Sequence, residues 1–187
     1  MGRVTQKFPG SAENGAVYNH ATIFYAYSLY KIGDTERAYD VLRKMLPDQT
    51  DAIKRGQLPA FIPNYYRGAY HQFPRTAGIS SQLFNTGTVA WYYRCVIEEL
   101  FGLKGSHGTL LIEPKLPATW DTASATRTFA GSKFVVTYER QAGCSKIEII
   151  VDGTALDKAC ITNIKPGKVY KVSVTLPHGS KDDRMVS

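Results

Sequence analysis

The chain has 187 residues, of which 43% are hydrophobic, 21% charged and 12% aromatic, a balance that excludes a disordered chain and fits a folded globular one. Its net charge of +7 is spread along the sequence, +4 over residues 1–105 (12 basic, 8 acidic) and +3 over 106–187 (11 basic, 8 acidic). No block of like charge stands out, so no nucleic-acid partner is expected, and no apolar run approaches the roughly 20 residues of a membrane span.

The opening MGRVTQKFPGS carries no hydrophobic signal-peptide core, and Gln6 stands where a myristoylation signal needs Ser or Thr. The three cysteines, Cys95, Cys144 and Cys160, are odd in number and form no CxxC pair. Neither a disulfide framework nor a metal site is expected, and a reducing, cytoplasmic setting fits.

The first motif is SAENGAVYNHA, residues 11–21. It reads as a turn with a surface Glu13 and a half-buried His20, or as a sugar site in which Glu13 accepts from hydroxyls and His20 donates to an anion. Residues 18–33 predict a helix with Gly33 as its C-terminal stop. Asp34 then caps a second helix, TERAYDVLRKML, that ends before Pro47, and the two should pack as a helical hairpin.

Residues 57–80 hold three prolines and cannot form one regular element. Within them FIPNYYRGAYH gathers tyrosines, Arg67 and His71. It is a surface loop, or a binding loop in which the Arg67 fork meets a carboxylate while tyrosine rings cover a sugar face. At NTGT, residues 85–88, either Thr or Asn caps a third helix, expected from about Val89 to Phe101, or the loop offers N–H groups and the positive helix end to an anion. The spacing and lysine of a phosphate-binding P-loop are absent.

The chain changes character near residue 104. After GLKGSHG the hydrophobic period becomes two, and TLLIEP, ATRTFAG, KFVVTYER, KIEIIVDG and KVYKVSVTL read as strands with Gly, Pro and Asp-Gly turns. They predict an antiparallel sandwich or barrel. Three helices joined by long aromatic loops make a poor core by themselves, so these loops should line something whose remaining wall lies outside the chain. No facing pair of carboxylates suited to a glycosidase is found.

Taken in order, ENGAVYNH, FNTGTVAWYY, LFGLKGSHGTLLIEPKLPATW and TRTFAG resemble the C-terminal part of glycoside hydrolase family 94, the inverting disaccharide phosphorylases. FIPNYYRGAY and PRTAG resemble the branch that acts on cellobionate. The resemblance implies an α+β chain in which residues 1–104 are the last part of an (α/α)6 catalytic barrel and residues 105–187 a small antiparallel β-sandwich. It also implies a general-acid Asp upstream, so no catalytic residue is assigned within the chain. Phosphate binding falls on His20, Thr86 and Gly87, and sugar binding on Glu13, Arg67 and His71. Where many cellobiose-type members have Lys before this Glu, the chain has Ala12. Inorganic phosphate is the implied co-substrate with no further cofactor, and a homodimer is the implied assembly of the whole enzyme.

Overall fold

The computed structural model describes residues 2–46, 54–55, 61–80 and 87–178. It divides into two compact units, Met1–Cys95 and Val96–Ser187.

The first unit is helical. After a short 3-10 turn, Arg3–Gln6, come strand β1 (Val17–Tyr18), helix α1 (Asn19–Ile32), helix α2 (Thr35–Met45), strand β2 (Tyr65–Tyr66) and helix α3 (Gly87–Arg94). Helix α1 ends as its sequence dictates. Gly33 is left-handed (φ 86°), its N–H reaches the Tyr30 carbonyl and the Asp34 N–H the Leu29 carbonyl, which satisfies the last turn in a Schellman arrangement. Asp34 in turn caps α2 by accepting from the Arg37 N–H at 3.4 Å. The two helices pack together through Ile23, Ala26, Leu29 and Tyr30 of α1 and Ala38, Leu42 and Met45 of α2, all buried. Full burial of each large apolar side chain contributes about 1.5–3 kcal/mol. Trp91 of α3 meets Phe24 and Tyr27 of α1 edge-on, with centroids 4.9 and 5.5 Å apart. No described helix is long and apolar enough to cross a membrane.

The third helix differs from expectation. It starts at Gly87, and after Arg94 it widens into a π-helical turn, Cys95–Leu100, in which the Phe101 N–H bonds to the Val96 carbonyl. The carbonyls at and just after its end are taken by groups outside the helix. Leu100 accepts from the Lys115 N–H at 3.0 Å, Phe101 from the Tyr138 hydroxyl at 2.7 Å, and Gly102 from the Glu113 N–H at 2.8 Å.

Among the described residues, the second unit holds two sheets. Strands β3 (Leu103–Ser106), β4 (Thr109–Ile112) and β9 (Cys160–Ile161) form the smaller, in the order β3-β4-β9. Strands β5 (Thr122–Phe129), β6 (Ser132–Gln141), β7 (Glu148–Val151), β8 (Thr154–Ala155) and β10 (Val169–Pro177) form the larger, in the order β5-β6-β10-β7-β8. Strict alternation buries Phe134, Val136 and Tyr138 of β6 beside Tyr170, Val172, Val174 and Leu176 of β10. The rings of Phe134 and Tyr170 stack at 4.9 Å. The α+β class stands, but the sheet is not wholly antiparallel: β6 and β10 pair in parallel from Lys133↔Val169 to Gln141↔Pro177. Parallel neighbours need a crossover, and here the chain makes it by building β7, β8 and β9 before β10 enters between β6 and β7.

The stretch GLKGSHG is itself structured. Residues Leu103–Ser106 pair with Thr109–Ile112 across a two-residue turn, His107–Gly108, with positive φ at both positions (46° and 73°). This is the turn type that matches strand twist, although His takes the place usually held by Asn or Asp.

Candidate functional site

The N-terminal loop folds over the loop that follows β2. Its own closure comes from the Gly10 N–H on the Asn14 carbonyl (2.7 Å) and the Asn14 side-chain amide on the Lys7 carbonyl (2.8 Å). The two loops are joined by the Gly68 N–H on the Gly10 carbonyl (2.9 Å) and by the rings of Phe8 and Phe73, 4.5 Å apart. Gly68 lies so close to the Gly15 carbonyl that a Cβ there would overlap it, so the approach demands glycine. Between the loops is a cavity of about 330 Å³ lined by Asn14, Gly15, Tyr70, His71 and their neighbours.

Of the residues expected to bind sugar, His71 lines this cavity, whereas Glu13 and Arg67 do not. The Glu13 carboxylate is exposed and ion-paired with Lys7. The Lys7 hydrogen bond holds it below the usual carboxylate range, so it remains an anion and an acceptor. Arg67 is anchored through its backbone, its N–H on the Ile79 carbonyl and its own carbonyl under the Gly78 N–H, both at 2.8 Å. Its Nε is buried and, among the described residues, has no hydrogen-bond partner. An uncommitted guanidinium donor is the chemistry that meets a carboxylate.

The second cluster forms where α1 begins. Strand β1 pairs with β2, Val17 opposite Tyr66 and Tyr18 opposite Tyr65. Asn19, fully buried, gives its backbone N–H to the Asn64 carbonyl (2.9 Å) and its side-chain amide to the Pro63 carbonyl (2.8 Å). This fixes the first turn of α1 and with it His20. The imidazole lies at 5.0 Å from the Phe24 ring and edge-on to Tyr18 at 5.9 Å. Its Nε2 faces Gly87, where an ideal Cβ would come within 2.7 Å of it. The fold thus brings together two residues far apart in sequence, His20 and Gly87. Thr86 lies outside the described residues. Thr88 falls inside the first turn of α3 rather than ahead of it, and its buried hydroxyl is 3.5 Å from the Asn64 side-chain oxygen.

Sequence reasoning missed Lys7, Tyr18 and Asn19. Lys7 is six residues from Glu13, a spacing that belongs to no motif, and only the folded-back loop joins them. Asn19 was legible as a polar residue at a helix start, but its partners at positions 63 and 64 were not.

With this geometry in place, the comparisons with known proteins are specific. Residues 1–102 match the family model described as Glycosyl hydrolase 94 superfamily, catalytic domain. That is more than half of the chain, and the chain belongs to this family. It is 52% identical over 180 residues to the cellobionic acid phosphorylase of Neurospora crassa, a match covering 95% of this chain and 23% of that protein. It is 31% identical over 179 residues to the 3-O-beta-D-glucopyranosyl-beta-D-glucuronide phosphorylase of Paenibacillus borealis, covering 94% and 23%. Against the N,N'-diacetylchitobiose phosphorylase of Vibrio furnissii it is 29% identical over 181 residues, covering 94% and 22%. The chain therefore spans about a quarter of the length of these curated relatives.

Proposed function

We propose that the chain is the C-terminal part of an inverting glycoside phosphorylase that acts on cellobionate. In the whole enzyme a phosphate oxygen attacks the anomeric carbon as the glycosidic C–O bond breaks. A general-acid Asp outside this chain protonates the departing oxygen, and the products are α-glucose 1-phosphate and gluconate. The observation that carries the reading is the 52% identity along 95% of the chain to a protein named for cellobionic acid.

The residues support distinct roles. His20, with Nε2 against Gly87, and Thr86 and Gly87 bind the phosphate nucleophile, which fixed donors hold in position against its own hydration. Arg67, with its unpaired buried Nε, meets the carboxylate of the acceptor, helped by His71 four residues on in the same loop. Glu13 accepts from sugar hydroxyls. The relatives at 52% and 31% identity are named for sugar acids, a cellobionic acid and a glucuronide, which supports a cation in the acceptor site. Cellobiose or a β-glucan oligosaccharide would leave that cation without a partner.

In this reading residues 1–104 complete an (α/α)6 catalytic barrel and residues 105–187 form its C-terminal β-domain. Phosphate is a co-substrate and no other cofactor takes part. The whole enzyme works as a cytoplasmic homodimer, and the 187-residue chain alone is inactive. The test is substitution in the complete enzyme. His20→Ala and Thr86→Ala each raise the phosphate requirement, and Arg67→Ala weakens gluconate use in synthesis much more than phosphate use. Unchanged activity at low phosphate removes His20 and Thr86 from the site, and an unchanged Michaelis constant for gluconate removes Arg67.

A further inference from the structure

The two nitrogens of His20 face different partners. Nδ1 lies 3.4 Å from the Tyr18 hydroxyl, whereas Nε2 is turned to Gly87. We propose that Tyr18 is a positioning residue for His20, its hydroxyl donating to Nδ1 so that Nε2 carries the proton and presents it beside Gly87. The proposal deepens the phosphate reading above and rests on it.

The direction of the bond follows from elementary acid–base chemistry. A phenol is the better donor of the two groups, and a bare imidazole nitrogen the better acceptor. A neutral imidazole has one of each, so committing Nδ1 as acceptor leaves Nε2 as donor. His20 then offers a hydrogen bond to a phosphate oxygen while uncharged. At 3.4 Å the contact is long, and its effect is on orientation and tautomer rather than on stability.

Tyr18 is well placed for this. Its backbone is held in the β1–β2 pair opposite Tyr65, and its carbonyl accepts from the Thr22 hydroxyl at 2.9 Å. Its ring stands edge-on to the imidazole, with Phe24 also against that ring. On the far side, glycine at position 87 leaves open the space beside Nε2 that a Cβ would fill.

The experiment is nitrogen-15 NMR of the 187-residue chain labelled in its four histidines, at mildly alkaline pH. The expected result is a proton on His20 Nε2 and, at Nδ1, the upfield-shifted signal of an accepting nitrogen. In Tyr18→Phe the Nδ1 signal moves to the unbonded position while His71, His107 and His178 keep theirs, which also reports an intact fold. In the complete enzyme Tyr18→Phe raises the phosphate Michaelis constant about two- to tenfold, the loss of one hydrogen bond's worth of preorganisation. A proton on Nδ1 in the unmodified chain overturns the proposal without any variant, as does an Nδ1 signal indifferent to Tyr18→Phe. A phosphate Michaelis constant of the complete enzyme that His20→Ala leaves unmoved, while Nδ1 still responds to Tyr18→Phe, removes the phosphate reading and keeps the Tyr18 contact.

Discussion

At Gly87 a methyl group would sit 2.7 Å from His20 Nε2 and 3.0 Å from Cε1. The obstacle is the end of a side chain, so the imidazole would yield rather than the backbone. Alanine is also the better helix former, by up to about 1 kcal/mol. Gly87→Ala should therefore leave the melting temperature unchanged or slightly raised while increasing the phosphate Michaelis constant of the complete enzyme at least about tenfold, the loss of one well-placed charge-assisted bond. Gly68 presents the opposite case, since its neighbour is the backbone carbonyl of Gly15. Gly68→Ala should destabilise the protein by about 1–3 kcal/mol, the usual range for forcing atoms into a packed site, measured by chemical denaturation. Arg67→Ala should cost roughly 2–4 kcal/mol of acceptor binding, read as the gluconate Michaelis constant in synthesis, because two charge-assisted bonds to a carboxylate are lost. At this scale the sequence was most legible where the determinants are local. Gly33 and Asp34 declare a helix end and a helix start by their own chemistry. The contact of His20 with Gly87 could be expected only from the order of motifs, and the Lys7–Glu13 pair not even from that.

Among the elements, the π-helical turn depends on its surroundings. Glu99 is buried within it and accepts from the Lys115 ammonium at 2.6 Å, and Glu98 lies 3.8 Å from Arg127. Lys115→Met should destabilise by about 2–3 kcal/mol, because Glu99 keeps a buried charge without this partner. Adding Glu99→Gln should restore part of that loss, and strictly additive effects of the two substitutions would show that the pair is not coupled. Tyr92 ties α3 to α2. Its hydroxyl bonds to the Leu42 carbonyl of α2 at 3.1 Å, and burial raises its pKa from 10 to about 12. The folded state therefore favours the neutral phenol, so this contribution is whole below pH about 10 and is lost as the pH climbs towards about 12. Denaturation midpoints should fall across that window, and less steeply in Tyr92→Phe.

Period-two patterning made the long strands legible, since burial alternates along β6 and β10. The parallel pairing of those two strands was not legible, because side-chain alternation does not encode strand direction. Strands of two residues such as β8 and β9 are too short to show any period. The carbonyls at and just beyond the end of the widened turn meet Lys115, Tyr138 and Glu113, partners that no local pattern reveals.

For the molecule as a whole, the controlling fact is that the chain spans about a quarter of its curated relatives. A phosphorylase needs a nucleophile site, an acid and two sugar subsites. The described residues bring His20 Nε2 against Gly87 and leave a loop cavity beside His71, with the buried Arg67 Nε lacking a hydrogen-bond partner among them. The direct measurement is glucose 1-phosphate release by the complete enzyme from cellobionate and from cellobiose, each with inorganic phosphate, beside the 187-residue chain alone. Cellobionate should yield α-glucose 1-phosphate, cellobiose far less, and the isolated chain none. Preference for cellobiose would overturn the assignment to cellobionate, and robust phosphorolysis by the isolated chain would overturn its inactivity.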